Sequence, residues 1–234
     1  MEAIVLAGGK GERLAEVAQG RPKPLVPVAG RPLVSYQLVR LARAGVRHAI
    51  IACAAGRREE FERDLAEIGL ELTVVEEPEP LGRGGGVRMA AARRRAPGPI
   101  YALNGDDLSD VDLEALFVWH QETDAAATVT VARPPSPFGI VELGDDDLIV
   151  GFNEGRRIPY WVSCGVYVLS DEALERFPER GDHETTAFPA LAADRRLRAF
   201  RHEGLWLPVN TPKDVRRAEE YVAAHPEWLV AART

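Results

Sequence analysis

The chain has 234 residues, 46% of them hydrophobic and 28% charged, enough to bury a substantial core and too apolar for an intrinsically disordered chain. Its formal charge of -7 speaks against a general nucleic-acid binder, because phosphate-backbone affinity needs a broad basic surface; an anionic ligand must be held locally. No apolar run approaches the roughly 20 residues of a membrane span and no basic, signal-like leader opens the sequence, so the expected setting is the cytoplasm, with no membrane or nucleic-acid partner.

Residues 3–7 are apolar and uncharged, which reads as a strand buried on both faces, and Gly8, Gly9 and Gly11 follow it at once. Glycines there let the backbone turn sharply and aim its N–H groups at anionic oxygens, the shape of a phosphate cradle. Arg13 and Lys23, the latter inside Pro22-Lys23-Pro24, can add the full positive charges that a triphosphate needs.

Pro32 and Gly45 bracket a helix with Val34, Leu38 and Leu41 on one face. Residues 48–53 read as a second strand, 59–68 as a helix and 72–76 as a third strand. This alternation predicts a Rossmann-like, mainly parallel sheet with helices on both faces and ligands at the carboxyl ends of its strands. Next, Gly82, Gly84, Gly85 and Gly86 form a turn-rich stretch directly before an Ala- and Arg-rich helix; so many glycines are costly in entropy and imply a close backbone approach to something.

A fourth strand over 100–103 delivers Asn104-Gly105-Asp106-Asp107 at its carboxyl end. Mg²⁺ binds through one or two carboxylates plus substrate phosphates, and Asp106 is placed for that work while Asp110 or Asp112 caps the next helix. His120 reads as a packing or surface histidine, since no partner stands at ligand spacing. The two cysteines, Cys53 and Cys164, share no ligand spacing either and read as buried free thiols.

Strands are expected over 126–132, 138–143, 148–152 and 162–169, with few helices between them, so some must pair antiparallel and extend the main sheet. Short helices follow at 172–177 and 188–193, then a strand at 197–202. Thr211-Pro212-Lys213-Asp214 carries the signals of a helix start, and Asn210 stands just before it. No repeat or linker interrupts the chain. A single domain over 1–234 is expected, with residues 1–125 mainly nucleotide-binding and 126–234 mainly acceptor-binding.

With these segments in hand the chain resembles the sugar-1-phosphate nucleotidyltransferases, of the small single-domain kind, over nearly its whole length. The resemblance rests on the run from Leu6 to Leu14, on Pro22-Lys23-Pro24-Leu25, Pro80-Leu81-Gly82, Asn104-Gly105-Asp106, Phe138-Gly139, Gly165-Val166-Tyr167, Glu184 and Asn210-Thr211-Pro212, in that order. It implies the nucleotide-diphospho-sugar transferase type of fold and Mg²⁺-dependent transfer of a nucleoside monophosphate from a nucleoside triphosphate to a sugar 1-phosphate, releasing pyrophosphate. Arg13, Lys23 and Asp106 are then the catalytic residues, with Asp106 and Asn210 holding the metal. Leu6, Ala7, Gly8, Gly9, Gly11, Gly82 and Gly85 receive the nucleotide, and Asn104, Gly139, Glu154, Arg156, Cys164 and Gly165 face the acceptor.

Two departures qualify the match. Pro208 stands where many relatives place a second metal-binding Asp, which puts that role on Asn210, and Gly155 stands where a Lys grips the sugar phosphate, which puts it on Arg156 or Arg157. A non-catalytic regulatory or assembly domain is one other reading. Transfer to a non-sugar acceptor such as phosphocholine or molybdopterin is another, with Tyr160 and Trp161 as the aromatics for a quaternary ammonium. A homo-oligomer is compatible with the sequence.

Overall fold

The apolar run that follows Glu2 becomes an inner strand of a seven-stranded sheet. The computed structural model of the chain describes residues 1–9 and 14–229. Its strands are β1 (Glu2–Ala7), β2 (Pro27–Val28), β3 (Arg31–Pro32), β4 (His48–Ala54), β5 (Glu71–Glu77), β6 (Ile100–Asn104), β7 (Asp107–Ser109), β8 (Ala127–Ala132), β9 (Ile140–Leu143), β10 (Ile149–Asn153), β11 (Val162–Leu169), β12 (Leu197–Arg201) and β13 (Trp206–Pro208). Its helices are α1 (Ala15–Ala18), α2 (Leu33–Arg43), α3 (Arg58–Asp64), α4 (Gly82–Ala91), α5 (Leu113–Glu122), α6 (Asp171–Arg176), α7 (Ala187–Ala193) and α8 (Pro212–Ala224).

The main sheet runs β12-β8-β11-β6-β1-β4-β5 and draws strands from both halves of the sequence. All neighbours pair parallel except β11, which is antiparallel to both β6 and β8. Because side chains alternate along a strand, each strand feeds two cores. Val5, Ile51 and Leu103 pack under α2, α3 and α5, while Ile4, Ile50 and Ala102 pack under α4, α6 and α7. Helices therefore cover both faces, as the βα alternation predicts.

Local chemistry explains the element ends. Helix α2 buries Val34, Leu38 and Leu41 and stops where Gly45 takes a φ of +83°, a conformation that costs glycine nothing. Asp112 caps α5, its carboxylate accepting from Ala115 N at 2.9 Å. Asp110 instead faces His202, with 3.1 Å between Oδ1 and Nε2. His120 is a packing histidine, buried with Nδ1 2.9 Å from the Thr128 hydroxyl.

Three expectations need correction. Helix α3 ends at Asp64, and residues 65–68 turn without continuing it. The crowded glycines are not a loop before a helix but the first turns of α4 itself. Of the strands expected to extend the sheet, β8 and β11 do so, while β9 and β10 leave it and pair only with each other. Most residues of this pair are exposed, since among the described residues no helix or second sheet packs on it.

Candidate functional site

The carboxyl ends of β1, β5 and β6 open onto a cavity of about 380 Å³, lined by Leu6, Ala7, Gly8, Gly9, Lys23, Pro24, Glu77, Pro80, Gly82, Arg83, Asn104 and Asp106. At its mouth the Lys23 ammonium donates to Asp106 Oδ2 at 2.5 Å and to Asn210 Oδ1 at 2.9 Å. Lys23 is only 7% exposed. Burying an ammonium without partners costs several kcal/mol, so these two oxygens are what hold it there.

Three distant segments meet at this point for identifiable reasons. A short 3-10 turn, Lys23–Leu25, buries Lys23 beside the apolar Leu25. Strand β6 ends at Asn104, and Gly105 N donates back to Leu6 O at 2.8 Å, which turns Asp106 toward the cavity. Strand β13 then pairs antiparallel with β7, Pro208 opposite Asp107, and Val209 N donates to Asp106 O at 3.1 Å. Asn210 is thereby carried to the Asp106 side.

A capping box fixes Asn210 in place. The Asp214 carboxylate accepts from the backbone N–H of Asn210 at 3.1 Å and of Thr211 at 2.9 Å, while the Thr211 hydroxyl oxygen accepts from Asp214 N.

Asp107 has a different part from its neighbour. It is buried, accepts from Trp206 Nε1 at 3.3 Å, and burial together with the adjoining Asp106 charge holds its carboxyl well above the usual carboxylate range. It braces the β7–β13 ribbon and does not line the cavity.

Asp106 and Asn210 also fit a magnesium ion. Their oxygens already converge on one cationic centre, the Lys23 ammonium, and one carboxylate plus one amide oxygen is the sparse hard-oxygen set that Mg²⁺ completes with substrate phosphates and water. No cluster of three or more His, Cys, Asp or Glu suited to a metal occurs among the described residues, so a metal here depends on that completion.

Glu77 is a lining residue to which the sequence reading gave no role. Its Oε2 accepts from Leu81 N at 3.0 Å, and a Cβ on either Gly8 or Gly86 would come within 2.9 Å of its Oε1. Both glycines thus make room for a 9%-exposed carboxylate at the cavity wall. The signal was the last residue of β5 in a sheet that binds at strand ends, hidden inside an acidic, proline-rich stretch. Arg83 was missed too; its Nε donates to Asp182 at 2.8 Å and it pairs with Glu184 at 2.8 Å.

The other expected residues divide. Arg13 and Gly11 lie outside the described residues. Leu6, Ala7, Gly8, Gly9, Gly82 and Asn104 line the cavity, and Gly165, at a φ of +68°, leaves space for the Asn104 side chain. Gly85 does not line it; a Cβ there would meet Glu179 O at 2.5 Å, so its close approach is to this chain's own backbone. Gly139 packs under the Phe152 ring, and Glu154 is exposed, neither on the cavity.

Arg156 is ion-paired with Glu142 across the β9–β10 hairpin, and Arg157 donates to Arg133 O at 2.7 Å. The Cys164 thiol is buried and burial pushes it up to about 12; the whole residue is inside the protein and off the cavity, so the expected acceptor contact is not found there. Cys53 is likewise buried and free.

A cavity at the ends of parallel strands, walled by glycines and with a buried lysine, a carboxylate and an amide at its mouth, has the chemistry of the phosphate-binding α/β class of proteins. Residues 2–225 match the family profile described as Nucleotidyl transferase, and the chain belongs to that family. It is 33% identical over 228 residues to the mannose-1-phosphate guanylyltransferase of Mycobacterium tuberculosis, covering 93% of this chain and 63% of that protein. With the catalytic subunit beta of the Drosophila pseudoobscura pseudoobscura mannose-1-phosphate guanylyltransferase it shares 32% over 222 residues, 91% of this chain and 60% of that one. The chain thus spans somewhat over three fifths of the length of these relatives.

Among solved structures, the inositol-1-phosphate CTP transferase of T. maritima superposes with a TM-score of 0.72 at 23% identity, covering 96% of each chain. HddC from Yersinia pseudotuberculosis complexed with GMP-PN does so with 0.69 at 21%, covering 94% of this chain and 98% of that one. The fold is that of the nucleotide-diphospho-sugar transferases.

Proposed function

We propose that this chain is a Mg²⁺-dependent sugar-1-phosphate guanylyltransferase, moving GMP from GTP to a sugar 1-phosphate and releasing pyrophosphate. The observation that carries the reading is the convergence of Lys23, Asp106 and Asn210 at the mouth of the glycine-walled cavity. In this reaction an acceptor phosphate oxygen forms a bond to the α-phosphorus as the bond from that phosphorus to the bridging oxygen of the leaving pyrophosphate breaks. No general base is required, because the acceptor phosphate is already a nucleophile; alignment and charge neutralisation are.

Lys23 is fixed where donor and acceptor phosphates meet, so it offsets the repulsion between them as the new bond forms. Mg²⁺, held by Asp106 and Asn210, supplies further neutralisation of the α-phosphate when bound. The backbone of Leu6 to Gly9 and Gly82 cradles the nucleotide, and Arg13 takes the leaving end in keeping with the family resemblance.

Glu77 supports guanine. A buried carboxylate only accepts hydrogen bonds when ionised, and guanine offers it two adjacent donors, N1–H and the 2-amino group. The guanylyltransferases among the relatives agree with that choice, and mannose 1-phosphate is the acceptor their names suggest testing first.

Trp161 argues against a choline acceptor. The guanidinium carbons of Arg133 and Arg201 lie 4.7 and 5.3 Å from its ring centroid, so this chain's own cations already use the π surface a quaternary ammonium needs.

The test is a matrix of nucleoside triphosphates against sugar 1-phosphates with Mg²⁺, read by pyrophosphate release. GTP with mannose 1-phosphate should lead. No release in any well would overturn the enzyme reading, and preference for another triphosphate would overturn the part given to Glu77.

A further inference from the structure

The β9–β10 hairpin carries an apolar face that the fold itself leaves uncovered. Nine of the twelve exposed large apolar side chains among the described residues fall between positions 138 and 161. Within the hairpin, Val141 pairs with Phe152 and Leu143 with Ile149, so these four share one face. Leu143 is 62% and Phe152 65% exposed. A lone two-stranded ribbon is marginal in water, and a contiguous exposed apolar face marks an interaction site.

Charge along the ribbon indicates what covers it. The tip is Asp145, Asp146 and Asp147, all exposed. The foot, where Pro135 bridges Arg157, sets Arg133, Arg156 and Arg157 against Glu142 and Glu154 and so keeps a net positive charge. Arg156 is offset by Glu142, but among the described residues neither Arg133 nor Arg157 has a carboxylate partner; Arg133 rests on Trp161 and Arg157 on a backbone carbonyl.

Negative tip, apolar middle and positive foot make a pattern complementary to itself when reversed. We propose that two copies of this chain associate through their β9–β10 hairpins, apolar face to apolar face and antiparallel, so that the aspartates of each tip meet Arg133 and Arg157 of the other foot. Such a two-fold contact uses one patch twice and closes on itself.

Sedimentation of the full chain at micromolar concentration tests this. The wild type should run at twice the chain mass, and the doubly charged variant Leu143→Glu with Phe152→Glu should run as a monomer with an unchanged circular dichroism spectrum. A tip variant, Asp145→Lys with Asp146→Asn and Asp147→Asn, and a foot variant, Arg157→Glu, should each dimerise at least tenfold more weakly alone. Mixed, they should recover a heterodimer, because each reversed end then meets its opposite.

A monomeric wild type overturns the proposal, as does a dimer that survives the apolar substitutions. Failure of the mixture to pair overturns the antiparallel arrangement.

Discussion

The Lys23 ammonium sits 2.5 Å from the Asp106 carboxylate, so the site carries its own counter-charge. On the proposed reading, phosphate oxygens would take over part of the Lys23 contact and leave the Asp106 carboxylate available to hold a metal. A preformed pair of this kind costs little reorganisation at the moment of reaction.

Lys23→Ala should therefore lower kcat for pyrophosphate release by about 10²–10³-fold, the usual loss when one positioned electrostatic group is removed. Single-turnover kinetics with saturating substrates reads this directly. A rate within twofold of wild type would remove Lys23 from the chemical step.

Asn210 gives a metal-side prediction. Asn210→Ala should raise the Mg²⁺ concentration for half-maximal activity by about tenfold or more, in the range seen when metal-site partners are lost. Asn210→Asp should lower that concentration, because a second carboxylate binds Mg²⁺ more strongly than an amide. A magnesium titration of turnover, run on both variants, separates the metal effect from a general loss of activity.

The glycines of α4 make a prediction about stability. In Gly85→Ala the new Cβ would meet Glu179 O at 2.5 Å and Leu81 Cβ at 2.8 Å, and overpacking of this kind costs about 1–3 kcal/mol. Gly9→Ala, with nothing within 4 Å, should leave unfolding unchanged. Urea midpoints of the two variants should diverge accordingly, and equal midpoints would mean that the 179–181 segment gives way.

His183 predicts a pH dependence. It is fully buried, stacked on Phe177 at 4.8 Å between centroids, and neither ring nitrogen has a hydrogen-bond partner. Burial lowers it to about 4. The unfolded chain therefore binds a proton near pH 6.5 that the folded chain refuses until about pH 4, and stability falls as pH drops through that window. The loss from this one group should be roughly 3 kcal/mol, at about 1.4 kcal/mol for each unit of displacement. His183→Leu should flatten the pH profile of the urea midpoint between 6.5 and 4; an unchanged slope would assign the acid sensitivity elsewhere.

Much of the site could be read from the sequence because its residues carry local signals. Lys23 lies between two prolines, Asp106 comes two residues after a buried strand, and Asn210 stands before a threonine–proline helix start. What could not be read depends on tertiary partners. The helical glycines were opaque because their neighbours, residues 178–183 and Glu77, are far off in sequence or on another element. Arg156 read as free because nothing local announces its pairing with Glu142, and the hairpin strands resembled sheet strands because alternation alone does not say which sheet. Glu77 hid in an acidic stretch that composition treats as solvated loop.

The short pairing of β7 with β13 has a consequence for biosynthesis. It joins Asp106 to Asn210 from opposite halves of the chain, so a nascent polypeptide whose residues 206–210 are still inside the ribosome has only one of the two oxygens that meet at Lys23 in place. On the proposed reading, a chain arrested before this ribbon closes would be unable to turn over nucleotide, because the site is completed only by its last fifth.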